Sequence, residues 1–174
     1  IEYLTPDQIL QFLQLQDDRG EKYLYSLELH FASSLLTKIL YRLPEVSQRY
    51  EVLSIRDESG RTVLHHRAEK EILDSLESQE LCFRLLATHD NKGRTPLFTL
   101  WSPKSALASV TVEQRLTLIN MRDNEGQTAA EYYHRQISEE EVMRSFARAK
   151  LSVIEYYRRE ARIQIVMSTH DDDG

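Results

Sequence analysis

Val52-Leu53-Ser54-Ile55-Arg56-Asp57-Glu58-Ser59-Gly60-Arg61-Thr62 decides the fold of this chain, because two further stretches repeat it. They are Leu85-Leu86-Ala87-Thr88-His89-Asp90-Asn91-Lys92-Gly93-Arg94-Thr95 and Leu118-Ile119-Asn120-Met121-Arg122-Asp123-Asn124-Glu125-Gly126-Gln127-Thr128, and all three align without gaps. Gly60, Gly93 and Gly126 fall 33 residues apart, as do Asp57, Asp90 and Asp123, and Thr62, Thr95 and Thr128. One Asp-x-x-Gly-x-Thr match would mean little, since Asp and Gly are common in loops. Three at one period, with the apolar pairs Val52-Leu53, Leu85-Leu86 and Leu118-Ile119 in phase, mark a structural repeat.

Each part of the unit has a physical task. The Gly adopts positive φ and lets the chain turn sharply. The Asp carboxylate is expected to bond backbone N–H groups two or three residues on. The Thr is expected to cap the helix that follows. A fourth copy, Leu15-Gln16-Asp17-Asp18-Arg19-Gly20, keeps the Asp and the Gly, lies 40 residues before Gly60 and has Lys22 where the Thr should stand. A terminal unit that departs from its neighbours fits a unit packed on one side only. About fifteen residues ahead of each Gly stands a helix start: Thr5-Pro6-Asp7-Gln8, Glu45-Val46-Ser47-Gln48, Ser78-Gln79-Glu80-Leu81 and Thr111-Val112-Glu113-Gln114.

The chain therefore reads as all-α, a solenoid of about four helix-turn-helix units. Only 5 Gly and 4 Pro in 174 residues argue against a turn-rich sandwich or barrel. Helices are expected over 5–15, 21–42, 45–53, 62–76, 79–87, 95–101, 104–109, 111–119, 128–136 and 138–167. The last opens on Ser138-Glu139-Glu140-Glu141, a capping-box start, and is read as the cover over the end of the stack, with a coiled coil or partner helix as its alternative. The organisation that follows is a degenerate N-terminal repeat or cap over 1–44, repeats over 45–137, a capping helix over 138–168 and a disordered tail over 169–174.

With 22 Lys and Arg against 28 Asp and Glu, the net charge of −6 argues against nucleic acid as the partner. No apolar run is long enough to cross a membrane. The lone Cys82 allows no internal disulfide, which fits a reducing, intracellular setting. The chain opens on Ile1 and is read as a fragment.

The unit resembles the ankyrin repeat, whose period is also 33 residues. Asn120 to Thr128 matches the first half of that family's pattern, Asn-x-x-Asp-x-x-Gly-x-Thr. Asp57 to His65 carries Thr62, Leu64 and His65, with Val63 for Pro, and Asp90 to Leu97 carries Pro96-Leu97, with Phe98 for His. The family's Gly-Ala-Asp segment is absent. The resemblance covers residues 45–136 clearly and 5–44 weakly. It implies protein–protein recognition by a monomer without catalytic residues, cofactor or metal, and it implies that His65 braces its turn by hydrogen bonding. A weaker resemblance, to ankyrin-repeat effectors of intracellular bacterial pathogens, implies secretion into a host cytosol. The alternative is a targeting domain or fragment of a larger enzymatic effector.

Candidate chemistry is sparse. Adjacent helical residues point about 100° apart, so His65 and His66 do not share a metal ion. Cys82 lies in an apolar helix pattern, as a buried cysteine does. The Asp-x-x-Gly turns lack the further ligands of a calcium loop. Candidate partner contacts are the turn residues Arg56, Glu58, Arg61, His89, Lys92, Arg94, Arg122, Glu125 and Gln127. Two aromatic residues join them. Trp101 either anchors a partner or fills a gap between helices. Tyr132 and Tyr133 are consecutive, so one of them is expected at the surface, and Tyr133 is taken as the contact.

Overall fold

The computed structural model describes residues 3–16, 22–25, 34–100 and 103–133, with Glu155, Arg158 and Arg159. Among them every regular element is helical, and the strand-like pairings are two isolated bridges. The all-α class is therefore correct. None of the described helices is long and apolar enough to cross a membrane.

The helices that lead into the turns start where side chains cap them. Helix α1 (Pro6–Gln14) is closed by a capping box in which Thr5 Oγ1 accepts from Gln8 N–H at 3.3 Å and Gln8 Oε1 accepts from Thr5 N–H at 2.9 Å. Helix α2 (Ser34–Arg42) ends before Pro44, whose ring cannot continue a helix. Helix α3 (Val46–Ser54) starts at Glu45. After the turn at Gly60 come α4 (Val63–His66), α5 (Lys70–Asp74) and α6 (Gln79–Leu86), the last capped by Ser78 Oγ at 3.3 Å from Leu81 N. After Gly93 the same order returns as the 3-10 turn η1 (Pro96–Phe98), α7 (Lys104–Ala108) and α8 (Val112–Asn120). Residues 129–133 are helical and follow Gly126.

Two expectations need correction. The single helix over 62–76 is two, because Arg67 is extended (φ −158°, ψ 118°). The His65 carbonyl accepts from the Thr99 hydroxyl of the following unit, so the donor comes from a neighbour instead of the next helical turn. The helix over 95–101 shrinks to three 3-10 residues, with Thr99 N–H and Leu100 N–H both closing on Pro96 O. Each unit thus holds three short helical pieces between turns, not a helix-turn-helix pair.

These pieces form three columns. Helix α3 packs against α1 and α6, α4 against η1, and α5 against both α2 and α7. Gln114 on α8 donates to Glu80 on α6 at 3.1 Å, extending the first column. The repeated apolar pairs face inward: Val52, Leu53, Leu85, Leu86, Leu118 and Ile119 are all buried. So are Leu64 and Leu97 in the second column, and Ile72, Leu73 and Leu107 in the third. The expected helix over 21–42 is present at 23–25 and 34–42, and 26–33 lie outside the described residues. Outside them too lie Trp101, the tail over 169–174, and the expected capping helix over 138–168 apart from Glu155, Arg158 and Arg159, which are helical and exposed.

Candidate binding row of stacked turns

The three turns share one geometry. The Asp N–H donates to the carbonyl four residues on at 2.8, 2.9 and 2.9 Å, and the Gly N–H returns to the Asp carbonyl at 3.0, 3.0 and 2.9 Å. Gly60, Gly93 and Gly126 have φ of +75°, +73° and +77°. The Asp carboxylate oxygen accepts the N–H four residues on in every turn, at 2.8, 2.8 and 3.0 Å. It also accepts the N–H two residues on in the second and third. The fourth copy keeps the register, since the bridge Gln16–Lys22 matches the bridge Arg122–Thr128.

Successive turns are joined by an asparagine ladder. Asn91 N–H donates to Ser59 O at 2.9 Å and its Nδ2 to Glu58 O at 3.0 Å. One period later Asn124 N–H donates to Lys92 O at 3.0 Å and its Nδ2 to Asn91 O at 3.3 Å. The Asn carboxamide lies over the Gly of the preceding turn, where a Cβ would meet its oxygen.

A second link crosses from α4. Thr62 N–H donates to His65 Nδ1 at 3.0 Å, and His65 Nε2 lies 3.0 Å from Arg94 O. A backbone N–H only donates and a carbonyl only accepts. His65 is therefore the neutral tautomer with its proton on Nε2. It braces its turn as the family resemblance implies, and reaches the next turn as well. Tyr25 stands at the same place in the first unit and reaches the equivalent carbonyl, Arg61 O, at 2.7 Å. Phe98 occupies the place in the third unit and can donate nothing, and the buried Thr95 hydroxyl, expected to cap, has no hydrogen-bond partner among the described residues.

Burial lowers the pKa of His65 below its ordinary 6.5, with the bond to Arg94 opposing. The folded protein thus binds this proton less readily than the unfolded chain. The stability tied to neutral His65 is present above about pH 6.5 and is lost as pH falls toward the lowered folded value. The melting temperature is expected to fall between about pH 7.5 and pH 5.5. His65→Gln, which can cap Thr62 as Gln8 caps Thr5, should flatten that slope; an unchanged slope would remove His65 as its source.

The candidate contacts separate into two groups. Glu58, His89, Lys92, Arg122 and Glu125 are exposed along the turns, Arg122 with its Nη1 bonded to Gly126 O and Glu131. Arg56 is exposed but anchored, with Nη1 donating to Gly60 O at 3.1 Å and to His89 O at 2.7 Å. Arg61 folds back on Asp57 at 2.8 Å. Arg94 is not available to a partner: its side chain is 15% exposed, it lies 3.5 Å from Asp123, and its guanidinium stands 4.3 Å from the centre of the Tyr132 ring. Gln127 is half-buried, with Oε1 unpaired among the described residues. Tyr133 is corrected outright. It is 7% exposed and its hydroxyl donates to Leu100 O at 2.9 Å, so it belongs to the core, and Tyr132 is the more exposed of the pair.

Sequence reasoning passed over Arg49. Its side chain is 9% exposed and bonds Leu43 O at 2.9 Å, Ser75 O at 2.8 Å and Glu77 Oε1 at 2.7 Å. Glu77 itself has φ +53°. The Cys82 thiol is buried and donates toward Leu73 O, and burial raises its pKa to about 11, which disfavours a thiolate. Among the described residues no three His, Cys, Asp or Glu side chains gather as metal ligands would. Comparison with known protein families, curated proteins and solved structures finds no match to this chain.

Proposed function

We propose that this chain is an ankyrin-like α-solenoid that holds a partner protein along its row of stacked turns. What carries the reading is the conjunction of one turn geometry, repeated three times, with the asparagine ladder that joins the turns. Loops on a rigid scaffold are where binding side chains concentrate. Here the ladder fixes the spacing of Glu58, His89, Lys92, Arg122 and Glu125, so a partner meets them without an ordering cost in the backbone. Repeat arrays present extended surfaces of this kind because each unit contacts only its neighbours. The partner is a protein, the array acts as a monomer, and binding is reversible recognition without chemistry.

The test replaces those five exposed side chains with Ala and compares capture from native lysate by quantitative mass spectrometry. Surface changes of this sort cost within about 0.5 kcal/mol each, so the helical signal and cooperative melting should survive. Capture of the specific partner should fall at least about tenfold, a loss of ~1.4 kcal/mol. A folded variant that retains its partner at the wild-type level places the binding face elsewhere.

A further inference from the structure

We propose that Arg56 is a carboxylate-binding site, and that what it takes is an acidic stretch of the partner. The proposal rests on the turn row being the partner surface, and names what one part of it recognises.

The guanidinium of Arg56 is held at one corner. Nη1 carries both intramolecular bonds, to Gly60 O and His89 O. Nε–H and the Nη2 hydrogens have no acceptor among the described residues, and no carboxylate pairs with the group. That leaves the Nε–Nη2 edge, the side-on fork whose two parallel N–H bonds match a carboxylate. A fork already oriented by two backbone carbonyls loses little further freedom on binding.

The repeat supplies its own comparison. Arg122 stands two periods after Arg56 and makes the same bond, Nη1 to Gly126 O at 2.6 Å. There a carboxylate of the chain itself takes the second Nη1 bond, Glu131 Oε2 at 3.1 Å, where at Arg56 the second Nη1 bond goes to the His89 carbonyl. In the Arg56 unit the place of Glu131 is taken by His65, which is buried and occupied with Thr62 and Arg94. The Arg56 guanidinium is thus met by neutral carbonyls alone among the described residues, and its charge lacks the acid that answers Arg122. One cation touches this residue and another lies on the next turn. Lys22 Nζ donates to Arg56 O at 2.9 Å, and Lys92 is exposed on the next turn; neither has an ion pair among the described residues. Glu58 shares the turn, and no ion pair joins it to Arg56. The chain as a whole is acidic at −6. With a screening length of about 8 Å at physiological salt, though, this local cluster and not the net charge sets what binds.

The test uses the whole chain and a fluorescein-labelled Glu-Gly peptide of about twelve residues, with the Gln-Gly peptide as control, read by anisotropy and by amide shifts. Wild type should bind the Glu peptide and not the Gln peptide, with shifts at Gly60 and His89. Arg56→Lys keeps the charge and loses the fork, and should weaken binding about tenfold, the scale of a hydrogen bond to a charged group. Lys104→Gln, off the row, should leave binding unchanged. The proposal is overturned if Arg56→Lys binds like wild type, if Lys104→Gln weakens binding as much, or if Gly60 and His89 do not shift. Wild type that captures a partner through its turns but ignores the Glu peptide also overturns this site and leaves the partner-binding reading standing. Tighter peptide binding after removal of residues 169–174, with Asp171, Asp172 and Asp173, assigns the site to the chain's own acidic end and overturns a partner as its occupant.

Discussion

Gly93→Ala is expected to lower the unfolding free energy by about 3 kcal/mol, and Gly126→Ala by about half as much. Both residues have nearly the same positive φ, +73° and +77°. An alanine held there costs roughly 1–2 kcal/mol from the backbone alone. The difference comes from the neighbours. A Cβ on Gly93 would stand 2.8 Å from Asn124 N and 2.3 Å from Asn124 Oδ1, whereas one on Gly126 meets nothing described within 4 Å. Relieving the clash displaces Asn124 and breaks its two bonds to the preceding turn, each worth about 1 kcal/mol. Gly60 faces Asn91 slightly less tightly, with Asn91 N at 3.1 Å, and should fall between the other two. Urea unfolding of the three variants gives the ranking. Equal losses at all three positions would mean that the turns do not bear on one another.

Arg49→Met should be at least as damaging, at about 3–5 kcal/mol, because it leaves the buried Leu43 and Ser75 carbonyls unpaired at roughly 1–3 kcal/mol each. The side chain ties the approach to α3 to the end of α5 through Leu43 O, Pro44 O and Ser75 O. Its loss leaves those carbonyls facing an apolar chain. Glu77 is 64% exposed, so Glu77→Gln should cost under about 1 kcal/mol, as exposed pairs do. Arg49→Lys should recover little, because an ammonium cannot reach three carbonyls set around a planar fork. For a protein of this size about 3 kcal/mol lowers the melting temperature by roughly 10 °C. A large loss in Glu77→Gln with a small one in Arg49→Met would reverse the assignment, making the ion pair and not the carbonyl contacts the important part.

Features that repeat along the chain could be read from it. The Asp-x-x-Gly-x-Thr register placed all three turns, the pairs such as Leu85-Leu86 marked the buried side of the first column, and Thr5, Ser78 and Thr111 marked helix starts. Features made by contact between units could not. The break after His66 depends on the Thr99 hydroxyl, which arrives from the next unit. Arg94 looked like a surface cation because Asp123 and Tyr132, which cover it, are about one period away. Arg49 was silent because most of its acceptors are backbone carbonyls, which any residue type supplies. Tyr133 was misplaced because the period was not carried into the side chains: it stands 33 residues after Leu100, the residue whose carbonyl takes its hydroxyl.

The turns, the ladder and the proposed binding row all depend on one unit recurring every 33 residues. Deleting residues 61–93, which joins Gly60 to Arg94, removes one period and rebuilds the same turn from two halves. A modular array tolerates this, because each unit packs on its neighbours alone. The shortened chain should stay helical and unfold cooperatively at a lower midpoint, whereas deleting residues 64–93, which breaks the register, should leave no cooperative transition. Loss of cooperative unfolding in both deletions would contradict a repeating unit and, with it, the row of turns proposed to hold a partner.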